Sequence, residues 1–207
     1  MSSQLVKKFM SLLIIIVASS YLWADFKIMT GVDLSKYQVK PKADNIHWQY
    51  KFGFLGGIGL GKNITDKMLL ELNIIFCQKG TTARQNLGEL REVNWKYRLN
   101  VVSLPLLLRN KLKEGSSPYL VGGLELSSIL SHSEKFSDQE PVDIKENTAT
   151  FDLALTLGGG YEIQLQEDLF FFIEARYSHG LKNIIISPLP EQIWKTQAFL
   201  ILIGVRS

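Results

Sequence analysis

Residues Phe151–Ile163 read FDLALTLGGGYEI, and the order of their side chains decides the fold. Odd positions carry Phe151, Leu153, Leu155, Leu157, Gly159, Tyr161 and Ile163, whereas even positions carry Asp152, Ala154, Thr156, Gly158, Gly160 and Glu162. A two-residue period puts successive side chains on opposite faces of a β-strand, so one face here is greasy and the other small or polar. Trp48–Leu60 repeats the pattern, with Trp48, Tyr50, Phe52, Phe54, Ile58 and Leu60 on one side and Gln49, Lys51, Gly53, Gly57 and Gly59 on the other. Six more segments qualify as strands, near residues 26–35, 68–79, 95–109, 118–130, 168–178 and 194–206, which makes eight. Several are longer than ordinary globular strands and long enough to cross a bilayer at a tilt of roughly 45°. In one of them both faces are apolar, from Val101 to Leu108, and Pro105 removes a ladder donor, so a bulge or a switch of face is expected there.

The links between these strands alternate in length. Those near 61–67, 110–117 and 164–167 are short, whereas those near 36–47, 80–94, 131–147 and 179–193 are long and rich in Lys, Asp, Glu, Ser and Pro. Short turns on one side and longer loops on the other are the asymmetry of a transmembrane barrel, and an even strand count returns both termini to the short-turn side. The reading is therefore an all-β protein: an eight-stranded antiparallel up-and-down transmembrane β-barrel. A soluble barrel that turns its greasy face inward around a ligand is the alternative. Its exterior would be the small, glycine-rich second face, which makes a poor solvated surface.

The first residues fit export. Lys7 and Lys8 precede an apolar stretch, Phe9–Val17, then the small residues Ala18, Ser19 and Ser20. Positive, apolar, then small is the order of a signal peptide, and the apolar part is too short to span a membrane as a helix. Cleavage is expected near Ala24, with residues 1–24 the signal peptide and 25–207 one barrel domain. The formal charge of +3 is spread without a basic run, so no nucleic-acid partner is expected. The lone Cys77 excludes an internal disulfide, and with no Cys or His cluster beside it neither a metal site nor a cofactor is expected.

Which residues matter follows from the faces. An eight-stranded barrel is just wide enough for side chains to fill, so charges pointing inward must pair. A structural lumen network is expected from Asp33, Lys51, Glu71, Asn73, Lys96, Arg98, Glu125, Asp152, Glu162, Glu174 and Arg176. The rings of Trp48, Tyr50, Trp95, Tyr97, Tyr177 and Trp194, with Tyr37, fall where an outer membrane-interface belt would lie. Phe26, Tyr119, Tyr161 and Phe170 fall at the other interface. Ser131-His132-Ser133 and Ser178-His179 carry the alternative reading, a lipid-modifying enzyme, but neighbours on a strand diverge, and no catalytic residue is assigned.

Four short motifs carry a family resemblance: Gly31 and Asp33 in TGVDLS; Glu71-Leu72 leading to Gln78-Lys79-Gly80; Leu104-Pro105-Leu106; and Arg176-Tyr177 leading to Gly180-Leu181-Lys182-Asn183-Ile184. In order and spacing the chain resembles PorT-like outer-membrane β-barrel domains of the Bacteroidota type. Cys77 departs from that pattern, where the family often has an aromatic residue. The resemblance implies an integral outer-membrane protein and, for some members, a part in secretion or envelope maintenance. The expectation is a monomer without enzymatic activity, held in outer-membrane lipid. Its external loops, 131–147 above all, would meet a partner protein or surface polysaccharide.

Overall fold

The computed structural model describes residues 25–41, 45–86, 92–137, 139–186 and 192–207, so the expected signal peptide lies outside the described residues. The strands are β1 (Asp25–Lys40), β2 (Ile46–Asn63), β3 (Met68–Asn86), β4 (Glu92–Lys111), β5 (Ser117–Phe136), a two-residue β6 (Val142–Asp143), β7 (Phe151–Gln166), β8 (Leu169–Gly180) and β9 (Ile193–Arg206). All pairings are antiparallel. Neighbours in sequence pair, β5 passes over β6 to pair with β7, and β1 pairs with β9, which closes a ring of eight. At the seam Phe26 and Ser207 exchange both backbone hydrogen bonds at 2.9 Å. Gly31 lets β9 come close there, since a Cβ at this position would stand 2.0 Å from the Ile201 carbonyl oxygen.

The alternation of β7 holds throughout: Phe151, Leu153, Leu155, Leu157, Tyr161 and Ile163 are exposed on the outside, while Asp152, Ala154, Thr156 and Glu162 are buried inside. Phe54, Leu120 and Leu124 stand 66%, 62% and 53% exposed. A barrel whose apolar side chains face out and whose charges face in is inside-out relative to a soluble one, which rules out the ligand-enclosing soluble alternative.

Three details differ from expectation. First, Val101–Leu108 keeps its alternation, with Val101, Ser103 and Leu107 inside and Leu106 and Leu108 outside. The register shift lies just beyond it, between Asn100 and Val101, where β5 carries the extra residue, Leu130. Second, the long links near 36–47 and 80–94 are mostly strand: β1 runs on to Lys40 and β2 begins at Ile46, while β3 runs on to Asn86 and β4 begins at Glu92. The barrel therefore stands well above its apolar belt at this end. Third, the link near 179–193, expected as a polar external loop, sends an apolar side chain inward: β8 ends at Gly180, and Ile184 is fully buried. At the opposite end the turns are tight, and Gly115 takes a φ of 68°, a left-handed conformation that a Cβ disfavours.

Candidate functional site

The lumen is filled in three tiers. At the short-turn end Arg109, fully buried on β4, sits among three carboxylates. Its Nε lies 2.6 Å from Glu71 Oε1, Nη1 donates to Glu162 Oε2 at 3.1 Å, and Nη2 donates to Glu174 Oε2 at 3.1 Å. The guanidinium rests 3.9 Å from the centre of the Tyr119 ring, whose hydroxyl donates to Glu174 at 2.8 Å. Lys27 bridges Glu71 and Glu174 at 3.2 and 3.7 Å. Arg206 reaches Glu162 at 3.4 Å and Asp25 at 3.0 Å, while Lys111 pairs with Glu162 and Arg176 with Glu174. Five cations thus meet four carboxylates in one network. Near-neutrality is what lets such charges stay out of water, because a buried ion without a partner costs several kcal/mol.

Glu125 forms the middle tier. Lys79 donates to its Oε1 at 2.9 Å, and four hydroxyls surround the carboxylate: Ser103 at 3.0 Å, Ser127 at 3.2 Å, Thr156 at 3.1 Å and Ser178 at 3.2 Å. A carboxylate so fully occupied has no lone pair to spare for a reaction. Beside it Leu55, Ile75, Cys77, Leu200 and Leu202 leave a cavity of about 10 Å³, room for roughly one water molecule.

The third tier closes the long-loop end. Tyr37, Trp48, Tyr97 and Trp194 pack ring against ring with centroid separations from 5.2 Å, for Trp48 and Trp194, to 6.4 Å, for Tyr37 and Trp48. His132 sits edge-on to Tyr37 at 5.7 Å. It points inward because the extra residue at Leu130 reverses the phase of β5 just below it. Two loops fold across the rings. The segment 139–150 hydrogen-bonds back through Ile144 N to the His132 carbonyl at 2.9 Å; the segment 181–186 joins it through Ala149 N to the Ile184 carbonyl at 2.8 Å.

An antiparallel ring with an apolar exterior and a polar, filled lumen is the architecture of a bacterial outer-membrane protein, and residues 23–185 match the family described as outer membrane protein beta-barrel domain. The chain belongs to that family. No curated protein matches the sequence. Among solved structures, this outer-membrane barrel is similar to Neisserial surface protein A at 13% identity, covering 88% of this chain and 97% of that one with a TM-score of 0.49. It is also similar to Ail, the attachment invasion locus protein of Yersinia pestis, at 14% identity over 89% and 99% of the two chains and a TM-score of 0.42. The outer membrane protein OprG from Pseudomonas aeruginosa gives 15% identity over 89% and 95%, with a TM-score of 0.44.

The outer-membrane barrel rearranges several residues singled out in its sequence. Asp33, Glu71, Asn73, Glu125, Asp152, Glu162, Glu174 and Arg176 are buried in the lumen. Lys96 and Arg98 are not: they are exposed on the outer face, and Tyr97 and Leu99 take the interior. Lys51 leaves the lumen as well, its stem crossing Gly80, the pairing partner of Arg98, to reach the Tyr97 carbonyl at 2.9 Å. Of the expected interface rings, Tyr50 and Tyr177 do face outward, both packed on Phe199 at 5.9 and 4.9 Å. Trp48, Tyr97 and Trp194 belong to the inner cap instead, and so does Tyr37; Trp95 is half-buried against Phe136. Trp48 pairs with the inward Ala83 while Tyr50 stays outward with Phe52 and Phe54, so β2 loses its alternation between Trp48 and Tyr50, next to its register irregularity with β3. Tyr119 likewise faces inward, onto Arg109. Lys27, Lys79, Arg109, Arg206 and His132 are lumen residues that the faces of the sequence did not single out. Arg109 lay at the end of the doubly apolar stretch, and His132 beyond an unannounced bulge.

Proposed function

We propose that this outer-membrane protein is a closed, non-conducting and non-catalytic barrel, an accessory component of the envelope or of a secretion system of the PorT-like kind. It acts through the loops at its long-loop end. The observation that carries this reading is the filling of the lumen from Arg109 through Glu125 to the Tyr37–Trp194 cap, with a cavity of only about 10 Å³ beside Glu125. Supporting the PorT-like assignment, the motif residues Asp33, Glu71, Lys79 and Arg176 are all buried inward-facing side chains. A catalytic reading gains no support from His132 or His179. His132 is bound by Tyr37 and Thr148, His179 lies near Tyr177 and Gln197, and Ser178 points to Glu125 on the other face. The loops, by contrast, carry apolar side chains in the open, Val142 and Ile186 at 62% and 63% exposure. Such residues above a membrane suit contact with a partner protein.

Two measurements test this. Planar-bilayer recordings of the purified protein are expected to show no discrete conductance, and stable unitary steps would refute the closed lumen. A deletion strain is expected to keep its lipid A acylation pattern while losing secretion or envelope integrity. Altered acylation would instead make the protein an enzyme.

A further inference from the structure

Above the apolar belt, the outer face of β3, β4 and β5 changes chemistry row by row. Phe76, Val102 and Ser128 form one paired row. The next is Gln78, Asn100 and Ser131, tied across the strands by Gln78 Nε2 donating to Asn100 Oδ1 at 3.3 Å and Asn100 Nδ2 donating to Ser131 Oγ at 2.9 Å. Then Arg98 stands beside Ser133, and above them Lys96 lies directly opposite Lys135. Lys51 reaches the same area from β2, its stem lying across Gly80, the pairing partner of Arg98. Among the described residues the side chains of Lys96, Arg98 and Lys135 make no ion pair or hydrogen bond. Among the described residues of this face, the carboxylate of Asp143, opposite Ser133, accepts the Lys145 backbone amide at 2.9 Å.

Like charges placed directly opposite on paired strands repel, and a fold that gathers several of them on one face calls for an anion between them. The height identifies which. Arg98 follows Val102 by two outward positions, roughly 10 Å farther from the belt once strand tilt is counted. That is headgroup depth, and the outer leaflet of an outer membrane is built of phosphorylated glycolipid. We propose that Lys96, Arg98 and Lys135, with Lys51 beside them, seat the phosphates of that glycolipid against this face of the barrel. Arg98 offers a planar fork that grips a phosphate through two parallel hydrogen bonds, and the flanking lysines add point charges. The amide and hydroxyl row Gln78, Asn100 and Ser131 meets the sugar or the ester carbonyls immediately below. The binding is separate from the closed lumen and stands whether or not the barrel conducts.

The test is native mass spectrometry of the whole purified barrel in detergent, with bisphosphorylated lipid A as probe and its dephosphorylated form as comparison. Wild type is expected to retain the bisphosphorylated lipid, and the triple variant Lys96→Gln, Arg98→Gln, Lys135→Gln to bind it about tenfold or more weakly, the loss of several charge-assisted contacts. Lys36→Gln, which removes a cation packed 4.5 Å over the Tyr50 ring elsewhere on the rim, is expected to leave binding intact. Equal retention of the two lipids, unchanged binding by the triple variant, or an equal loss in Lys36→Gln would overturn the proposal. Displacement of the lipid by millimolar inorganic phosphate would also overturn it, by showing a site for a free anion. Should the triple variant no longer shift on heating in a gel, Arg98→Gln alone carries the same comparison.

Discussion

The Tyr37 hydroxyl and His132 Nε2 stand 3.0 Å apart at the mouth of the barrel, and the neighbours of this pair fix where its proton lies. Thr148 Oγ1 donates to the Ile144 carbonyl at 2.8 Å, which uses its only hydrogen. His132 Nδ1, 2.8 Å from the same oxygen, must then be the donor, and its Nε2 accepts from Tyr37. A neutral imidazole so held ties the loop segment 139–150 to β1 through two hydrogen bonds in series.

Replacing His132 with Ala is expected to loosen that loop by about 1–3 kcal/mol, the cost of leaving buried partners unmatched. The readout is hydrogen exchange of residues 144–149, which should accelerate while the strand amides around Glu125 keep their protection. Unchanged exchange in the loop would show that the ring packing alone holds it down.

Arg109 has the largest burden in the lumen, because it neutralises Glu71, Glu162 and Glu174 together. Arg109→Ala is expected to destabilise the barrel by about 3–5 kcal/mol, as for a buried ion pair broken from one side. Urea unfolding from lipid vesicles, followed by loss of the heat-resistant gel band, measures it. A change below about 1 kcal/mol would mean that the carboxylates are already neutral or hydrated.

For Lys79 and Glu125, paired at 2.9 Å, the single changes Lys79→Met and Glu125→Leu should each be costly, and the double variant much less so than their sum. A double-mutant cycle in the same unfolding assay decides it. Strict additivity would show that the hydroxyls around Glu125, and not Lys79, hold the carboxylate.

Charge on the outside should be tolerated by height. Leu124→Arg, in the middle of the exposed apolar face of β5, is expected to cost about 2–4 kcal/mol in a bilayer. Lys96→Leu, on the external extension of β4, should change stability by less than about 1 kcal/mol. Similar costs at the two positions would misplace the edge of the membrane.

Periodicity alone determined most of the architecture. Two-residue alternation in Phe151–Ile163 and seven companion stretches specified the strands, their number and the inside-out sense of the ring, because inside a bilayer every outward position must be apolar. It also marked Asp33, Glu71, Glu125, Glu162, Glu174 and Arg176 as inward, since a charge within the belt has nowhere else to go. What only the tertiary structure decided lies mainly above the belt. There the outside is water and headgroups, so the rule inverts: Tyr37, Trp48, Tyr97 and Trp194 turn in, and Lys96 and Arg98 turn out, as in a soluble protein. A sequence does not mark the height at which that inversion begins. The irregularities of β2 beside Tyr50 and of β5 at Leu130 add to this, because a break in alternation changes the faces beyond it, and only the pairing of whole strands reveals the shift.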